Sequence, residues 1–374
     1  MLRIFGVEFS HLGGKYFIHF ISFFAAVVIL VCLFFFSRKQ LRSSLQKGIS
    51  VLIVVMVLRL FLLYNPFIWR FYKNSLTEKE VGWLNRDVLR IEYYKYFRYF
   101  FCLSKYCILG SSQVGYVFPP GLLGDAQVFT MSGLSPLGYL GLKDYFRFDR
   151  PEYIVLFISD LDMARFPDQA YLRTSLTGGF DLLKIFPRIF ENKAFREKYS
   201  TKKLDFFARF IFAQIFPEWK FSFVFKGFLN KLKGYNYELK EVTNIELADV
   251  PAEVSLKEQL KNLTENHFEE PIPANLILLE EFVSFCYLNK IKVIILEGQY
   301  NPLAYTEKNM QLEKSVRNGI TKLLLSYPNL VYIPREKLYQ FTESDYLGGY
   351  HVNFQAAQRF LISFAGVYSD YCKD

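Results

Sequence analysis

Short runs of apolar residues recur along the chain, and each run is bounded by polar or turn residues. Continuous apolar runs of about four to eight residues are typical of strands that are buried on both faces of a sheet. The runs predict five strands, at Tyr106–Leu109, Ala126–Thr130, Tyr153–Ile158, Lys292–Leu296 and Leu330–Ile333.

Segments with helical periodicity lie between and after these runs. A regular alternation of buried strands and amphipathic helices predicts an α/β fold with three layers and a mostly parallel five-stranded sheet, over residues 106–374. In such sheets the functional site lies at the carboxyl ends of the strands. The predicted helices are Pro136–Phe146, Pro273–Asn289, Thr306–Ser326 and Asn353–Tyr368.

Two longer apolar segments precede this region and predict a membrane anchor over residues 1–73. Residues 16–37 carry no charge, and a helix of this length spans a hydrocarbon core of about 30 Å. Residues 48–69, approximately, are interrupted by Arg59. They form either a second span, in which Arg59 pairs with an acidic group, or a buried or interfacial helix.

The residues between the two apolar segments are basic and predict the orientation of the anchor. They include Arg38, Lys39, Arg42 and Lys47 and no acidic residue, so the positive-inside rule places them in the cytoplasm. Two spans would then place the α/β domain outside the cytoplasm, whereas a single span would leave it inside. Residues 74–105 are polar and aromatic and predict a connector.

The alternation of strands and helices breaks at about 161–271, which predicts a helical insertion. Residues 184–240 carry 13 Lys and Arg against 5 Asp and Glu, and this difference of +8 is nearly all of the net charge of +9. Basic residues interleaved with phenylalanine suit an anionic membrane surface or a polyanionic glycopolymer. The alternative is a helical cap with solvated lysines. No nucleic-acid-binding motif is present, and we expect no nucleic acid partner.

Cysteine and histidine usage argues against a metal or disulfide scaffold. The five cysteines have no paired spacing, and the four histidines are scattered along the chain. Neither pattern matches a structural zinc site or a disulfide framework. We therefore expect no metal and no cofactor.

A serine-containing turn and a late histidine carry the candidate chemistry. Gly110-Ser111-Ser112-Gln113 follows the first predicted strand, and His351 precedes the last predicted helix. A serine at a strand end becomes a nucleophile when a base removes its proton and nearby donors stabilise the oxyanion. Either Ser111 or Ser112 fits this position.

In this order, the two segments resemble the SGNH (GDSL-type) hydrolase superfamily. The resemblance is greatest to membrane-anchored members of the DltD-like and alginate O-acetylation-like branch, which carry an amino-terminal anchor, a Gly-Ser-Ser-type block and a late histidine block. It implies the flavodoxin-like SGNH fold, with Ser112 as nucleophile and His351 as general base. Ser112 and Gly133 would supply oxyanion-hole amides.

The chain departs from the family pattern at two positions. The acid of an Asp-x-x-His block is replaced by Gly348, and the nearest acid is Asp345. Asp345 would orient the histidine, or the site would act as a Ser-His dyad. The asparagine of the third block is absent after Tyr153–Ile158, and Asn301 is a substitute oxyanion donor or only a turn residue before proline.

The resemblance implies an acyltransferase or esterase that acts through a serine acyl-enzyme on an envelope glycan, glycolipid or acyl carrier. It also implies a place in the bacterial inner membrane, an extracytoplasmic catalytic domain and a multi-span membrane O-acyltransferase as partner. The alternative is a catalytically silent scaffold that binds an envelope glycan or a membrane partner. A flavodoxin-like cofactor binder is less consistent with the sequence, because no phosphate-binding glycine pattern follows the first strand.

Overall fold

A computed structural model gives the fold of the chain. Two compact units are present, one formed by residues 1–97 and 202–236 and the other by residues 98–201 and 237–374. The structure describes residues 3–4, 7–8, 48, 66–82, 86, 89, 105–119, 126–130, 134–148, 151–165, 186–193, 196–197, 222–235, 256–257, 260–261, 265 and 268–371.

The second unit contains a five-stranded sheet in which every pair of neighbouring strands is parallel. The strand order is β2-β1-β3-β4-β5, so the chain moves to one side of β1 first and then to the other. The predicted α/β class and the parallel five-stranded sheet are confirmed, and each predicted strand matches an observed one to within one residue at either end. The strands are β1 (Tyr106–Gly110), β2 (Gln127–Thr130), β3 (Tyr153–Ile158), β4 (Lys292–Glu297) and β5 (Leu330–Ile333).

Seven of the described helices belong to this unit, and three short 3-10 turns connect its later elements. Thr306 caps the longest helix by accepting a hydrogen bond from the Asn309 amide, so that helix begins one residue after the predicted start. The helices are α3 (Ser112–Val117), α4 (Pro136–Phe148), α5 (Asp160–Met163), α6 (Phe186–Glu191), α8 (Ile272–Leu288), α9 (Glu307–Ser326) and α10 (Phe354–Tyr371), and the 3-10 turns are Pro302–Ala304, Arg335–Lys337 and Glu343–Asp345.

The sheet is buried on both faces, which explains why its strands are continuous apolar runs. Side chains from α3 and α10, such as Val114 and Phe360, pack on one face against Val155 and Ile294. On the other face, the Phe146 ring of α4 contacts Phe129 of β2 and Phe282 of α8. The arrangement is consistent with the predicted three layers.

The first unit contains α1 (Pro66–Ser75), α2 (Glu78–Val81), α7 (Ser222–Leu232) and a pair of two-residue strands, Arg3–Ile4 and Val7–Glu8. The rings of Phe71 and Phe228 stack, and Asn230 Nδ2 donates to the Glu80 carbonyl at 2.8 Å. Part of the predicted insertion thus packs with the amino-terminal residues.

The predicted membrane spans fall almost entirely outside the described residues. Of residues 16–37 none is described, and of residues 48–69 only residue 48 and residues 66–69 are. Within the described part of the chain, no helix has both the length and the apolar character that crossing a bilayer requires. The anchor stays a prediction.

Candidate functional site

The candidate nucleophile lies where β1 ends and α3 begins. Gly110 is the last residue of β1 and pairs with Phe157 of β3. A Cβ atom at position 110 would lie 2.8 Å from the Phe157 carbonyl oxygen, so glycine allows this close approach of the two strands. The next residue, Ser111, is the N-cap, and Ser112 is the first residue of α3.

Ser112 and His351 meet although 239 positions separate them in the chain. The Nε2 atom of His351 lies 3.1 Å from Oγ of Ser112, which is hydrogen-bonding distance. Burial lowers the pKa of His351 below its ordinary value, so the ring is neutral at pH 7. A neutral imidazole protonated at Nδ1 accepts the Ser112 proton at Nε2, which is the arrangement that a general base requires.

The structure also distinguishes Ser111 from Ser112 as the candidate nucleophile. Ser111 is only 5% exposed, and its side chain is one of the groups that lower the pKa of the Asp162 carboxyl against the larger, raising effect of burial. Asp162 also accepts from the backbone N–H and hydroxyl of Ser159, within a capping box at the end of β3. Ser111 is therefore buried within the turn, whereas Ser112 carries the hydroxyl that faces a base.

A short antiparallel loop presents the histidine. Tyr346 and Val352 form an isolated bridge, the Leu347 N–H donates to the His351 carbonyl, and the Asn353 N–H donates to the Asp345 carbonyl. Val352 is buried in the core that covers the sheet. Because side chains alternate along an extended strand, the His351 side chain lies on the opposite, outward face.

Tyr116 packs on the imidazole from the same helix that carries Ser112. The two ring centroids are 4.0 Å apart and the ring planes differ by 15°. Residues four apart on a helix lie on the same side, which places Tyr116 and Ser112 together against His351. Stacking on a flat ring restricts the rotation of the imidazole about χ2.

Asp345 lies in the loop but is engaged with other groups. One carboxylate oxygen accepts from the Thr342 N–H and from the Tyr339 hydroxyl, and the other is 2.6 Å from the Arg359 guanidinium. Burial raises the pKa of Asp345, but these hydrogen bonds and the Arg359 charge outweigh it and hold the pKa below its usual range. Among the described residues, no hydrogen bond joins Asp345 to His351, and the geometry is that of the Ser-His dyad.

The structure describes two of the three predicted oxyanion donors, Ser112 and Asn301. The Ser112 N–H has no acceptor within its own helix because it belongs to the first turn. Asn301 caps the Pro302–Ala304 turn through its side-chain oxygen, and its Nδ2 donates to the Gly348 carbonyl at 3.2 Å. This is the turn role that the sequence left open for it. Gly133 lies outside the described residues.

A buried acidic group lies beyond the dyad, at the neighbouring strand end. Asp160 begins α5, is 5% exposed and accepts from the Tyr300 hydroxyl at 3.1 Å. Burial raises the pKa of Asp160 to about 8, and the Tyr300 hydrogen bond opposes only part of that shift. A carboxyl group in this state holds its proton at pH 7.

Two residues that contribute to the site were missed by the sequence reasoning. The Gln113 side chain donates to the Gln299 carbonyl at 2.9 Å and to the Tyr350 carbonyl at 3.4 Å, so it joins the residue after Ser112 to the residue before His351. Tyr116 stacks on the base itself. In the sequence, the spacing of four residues between Ser112 and Tyr116 was the one signal that could have identified Tyr116 as a neighbour of the site. Among the described residues, no cluster of three His, Cys, Asp or Glu side chains is arranged to hold a metal ion.

Comparison with known proteins gives little beyond this geometry. No protein-family model and no curated protein matches the chain. One solved structure, described as "a putative platelet activating factor" from Streptococcus pneumonia, is 12% identical, with a TM-score of 0.40 over 76% of this chain and 94% of that one. A likeness at this level supports no conclusion about function.

Proposed function

We propose that the chain is an SGNH-like esterase or acyltransferase that works through a Ser112 acyl-enzyme. The observation that carries the proposal is the 3.1 Å contact between Ser112 Oγ and His351 Nε2 at the carboxyl edge of a parallel sheet. The strand order β2-β1-β3-β4-β5 also agrees with a flavodoxin-like SGNH fold.

The dyad supports a two-step reaction. Ser112 Oγ attacks the ester carbonyl carbon as its proton passes to His351 Nε2, and the Ser112 amide donates to the oxyanion. The intermediate collapses, and the alcohol leaves with the proton from His351. Water or an acceptor hydroxyl then attacks the acyl-enzyme, gives its proton to His351, and releases the acid or the new ester while Ser112 is reprotonated.

The setting of the reaction belongs to the same proposal. An anchor over residues 1–73 would hold the enzyme at a bacterial inner membrane, with the α/β domain outside the cytoplasm. An envelope glycan, glycolipid or acyl carrier would then be the substrate. By analogy with the resembling branch, a multi-span membrane O-acyltransferase would be the partner.

One observation favours a second candidate, a silent scaffold that binds an envelope glycan or a membrane partner. Asp345 is committed to Arg359, Tyr339 and Thr342, so the imidazole has no acidic partner among the described residues. A dyad of this kind is a weaker activator than a triad, because it lacks the carboxylate that stabilises the imidazolium in a triad.

Labelling with a serine-reactive fluorophosphonate decides between the two candidates. We expect the wild type and Ser111→Ala to label and Ser112→Ala to remain unlabelled. His351→Ala should slow labelling by about 10²-fold or more, in line with the loss of a general base. Equal labelling of the wild type and Ser112→Ala, or no labelling of a folded wild type, would favour the scaffold.

A further inference from the structure

Two large apolar side chains stand exposed beside the dyad. Tyr116 is 42% exposed and stacks on the His351 ring. Leu347 is 68% exposed and donates its N–H to the His351 carbonyl. Covering these two side chains with an apolar part of a ligand would remove their surface from water, which favours binding.

The backbone pairing places Leu347 opposite His351. Tyr346 and Val352 are bridged, so the next pair outward is Leu347 and His351. Residues directly opposite in an antiparallel pair have side chains on the same face, with Cα atoms about 5.5 Å apart. Since the Val352 side chain is buried in the core, the face that Leu347 shares with His351 is the outward one.

His351 therefore has Leu347 opposite it across the loop and Tyr116 on the face of its ring. We propose that these two side chains form an acyl-binding surface, and that the substrate of Ser112 carries an apolar acyl chain of several carbons. The inference rests on the proposed function, because it concerns the ester that the dyad attacks. It commits to an acyl chain as occupant because Tyr116 stacks on, and Leu347 pairs with, the histidine that activates the nucleophile.

Alkyl phosphonofluoridates test the surface without requiring turnover. We would measure second-order labelling rates with probes that carry two, four or six carbons on phosphorus. An alkyl chain half covered by an open surface should gain roughly twofold in rate per methylene, so the six-carbon probe should react on the order of tenfold faster than the two-carbon probe. A flat or falling series would overturn the inference.

Leu347→Ser supplies the second arm of the test. We expect this variant to lose most of the advantage of the six-carbon probe over the two-carbon probe, and a thermal melt reports whether it is folded. Leu347→Met should keep the advantage, since it retains the apolar area. Leu325, near the end of α9, is 86% exposed, and Leu325→Ser should match the wild type.

The possible failures are distinguishable. If no probe labels the folded wild type, the proposed function fails and the surface with it. If all probes label Ser112 at equal rates, only the acyl-binding surface fails. If the length of the alkyl group affects the labelling rate equally in the wild type and in Leu347→Ser, the alkyl group binds elsewhere and the assignment to this surface is wrong.

Discussion

The stacking of Tyr116 on His351 leads to a prediction that Tyr116, which transfers no proton itself, affects how fast His351 activates Ser112. Tyr116→Ala removes the ring that lies 4.0 Å from the imidazole. An aromatic pair of this kind is worth about 0.5–1.5 kcal/mol, which corresponds to a rate change of about twofold to about tenfold. We expect fluorophosphonate labelling of Ser112 to slow by that factor. Tyr116→Phe should label like the wild type, because stacking does not use the hydroxyl.

The pH dependence gives a second readout that a general loss of folding would not produce. Burial lowers the pKa of His351, so the base is neutral and active down to a pH below its unfolded value of about 6.5. Removing the Tyr116 ring exposes the imidazole to water and should raise the pKa of His351. The labelling rate of Tyr116→Ala should therefore fall off at a higher pH than that of the wild type.

Two results would refute this reasoning. The first is a Tyr116→Ala variant with the wild-type labelling rate and the wild-type pH midpoint, which would mean that the ring neither orients nor shields the base. The second is a Tyr116→Phe variant as slow as Tyr116→Ala, which would assign the effect to the hydroxyl. A histidine titration by NMR measures the pKa directly, independently of labelling.

Three further predictions concern neighbouring residues. Asp345→Asn should lower the free energy of unfolding by about 1–3 kcal/mol, because it weakens the contacts with Arg359 and Thr342, and it should slow labelling far less than His351→Ala does. A slowing equal to that of His351→Ala would show that Asp345 orients the histidine. Because the pKa of Asp345 is lowered on folding, the stability that its carboxylate contributes should be lost as pH falls below about 4. The folded wild type holds the Asp160 proton between about pH 4 and about pH 8 whereas the unfolded chain does not, so its stability in thermal melts should decline as pH rises over this range. Asp160→Asn should make that decline smaller, and an unchanged pH profile would contradict the raised pKa of Asp160. Gly110→Ala should lower the free energy of unfolding in urea titrations by about 1–3 kcal/mol, because the new Cβ atom meets the Phe157 carbonyl. Gly366→Ala in α10, where a Cβ atom meets nothing within 4 Å, should leave stability unchanged or raise it. Equal effects of the two variants would count against the close approach at Gly110.

The sheet was predictable because its strands are buried on both faces. Tyr153–Ile158 is buried throughout, so the apolar run and the strand coincide. Gly110 and Ser112 were predictable for a related reason, since the turn after a parallel strand is a place where a side chain can reach a site. The position of His351 before the last helix completed the pair.

The rest of the site depends on contacts that sequence spacing does not encode. Asp345 was the nearest acid to His351, but its partners Tyr339 and Arg359 lie six and fourteen residues away along the chain. Only the folded loop shows that they outcompete the imidazole. Tyr116 reads as an ordinary aromatic residue until the loop of His351 is brought onto α3.

The unit that contains residues 202–236 could not be predicted either. The stacked rings of Phe71 and Phe228 join segments more than a hundred residues apart. Aromatic residues in this part of the chain gave no indication of which segment they would pack against.

The measurement that tests the central claim most directly is detection of the acyl-enzyme itself. The full chain would be mixed with p-nitrophenyl acetate, quenched in acid, digested and analysed by mass spectrometry with fragmentation that distinguishes Ser111 from Ser112. The account predicts one acetyl group on Ser112, absent from Ser112→Ala and strongly reduced in His351→Ala. An acetyl group on Ser111, or an unmodified Ser112 in protein that hydrolyses the ester, would contradict it.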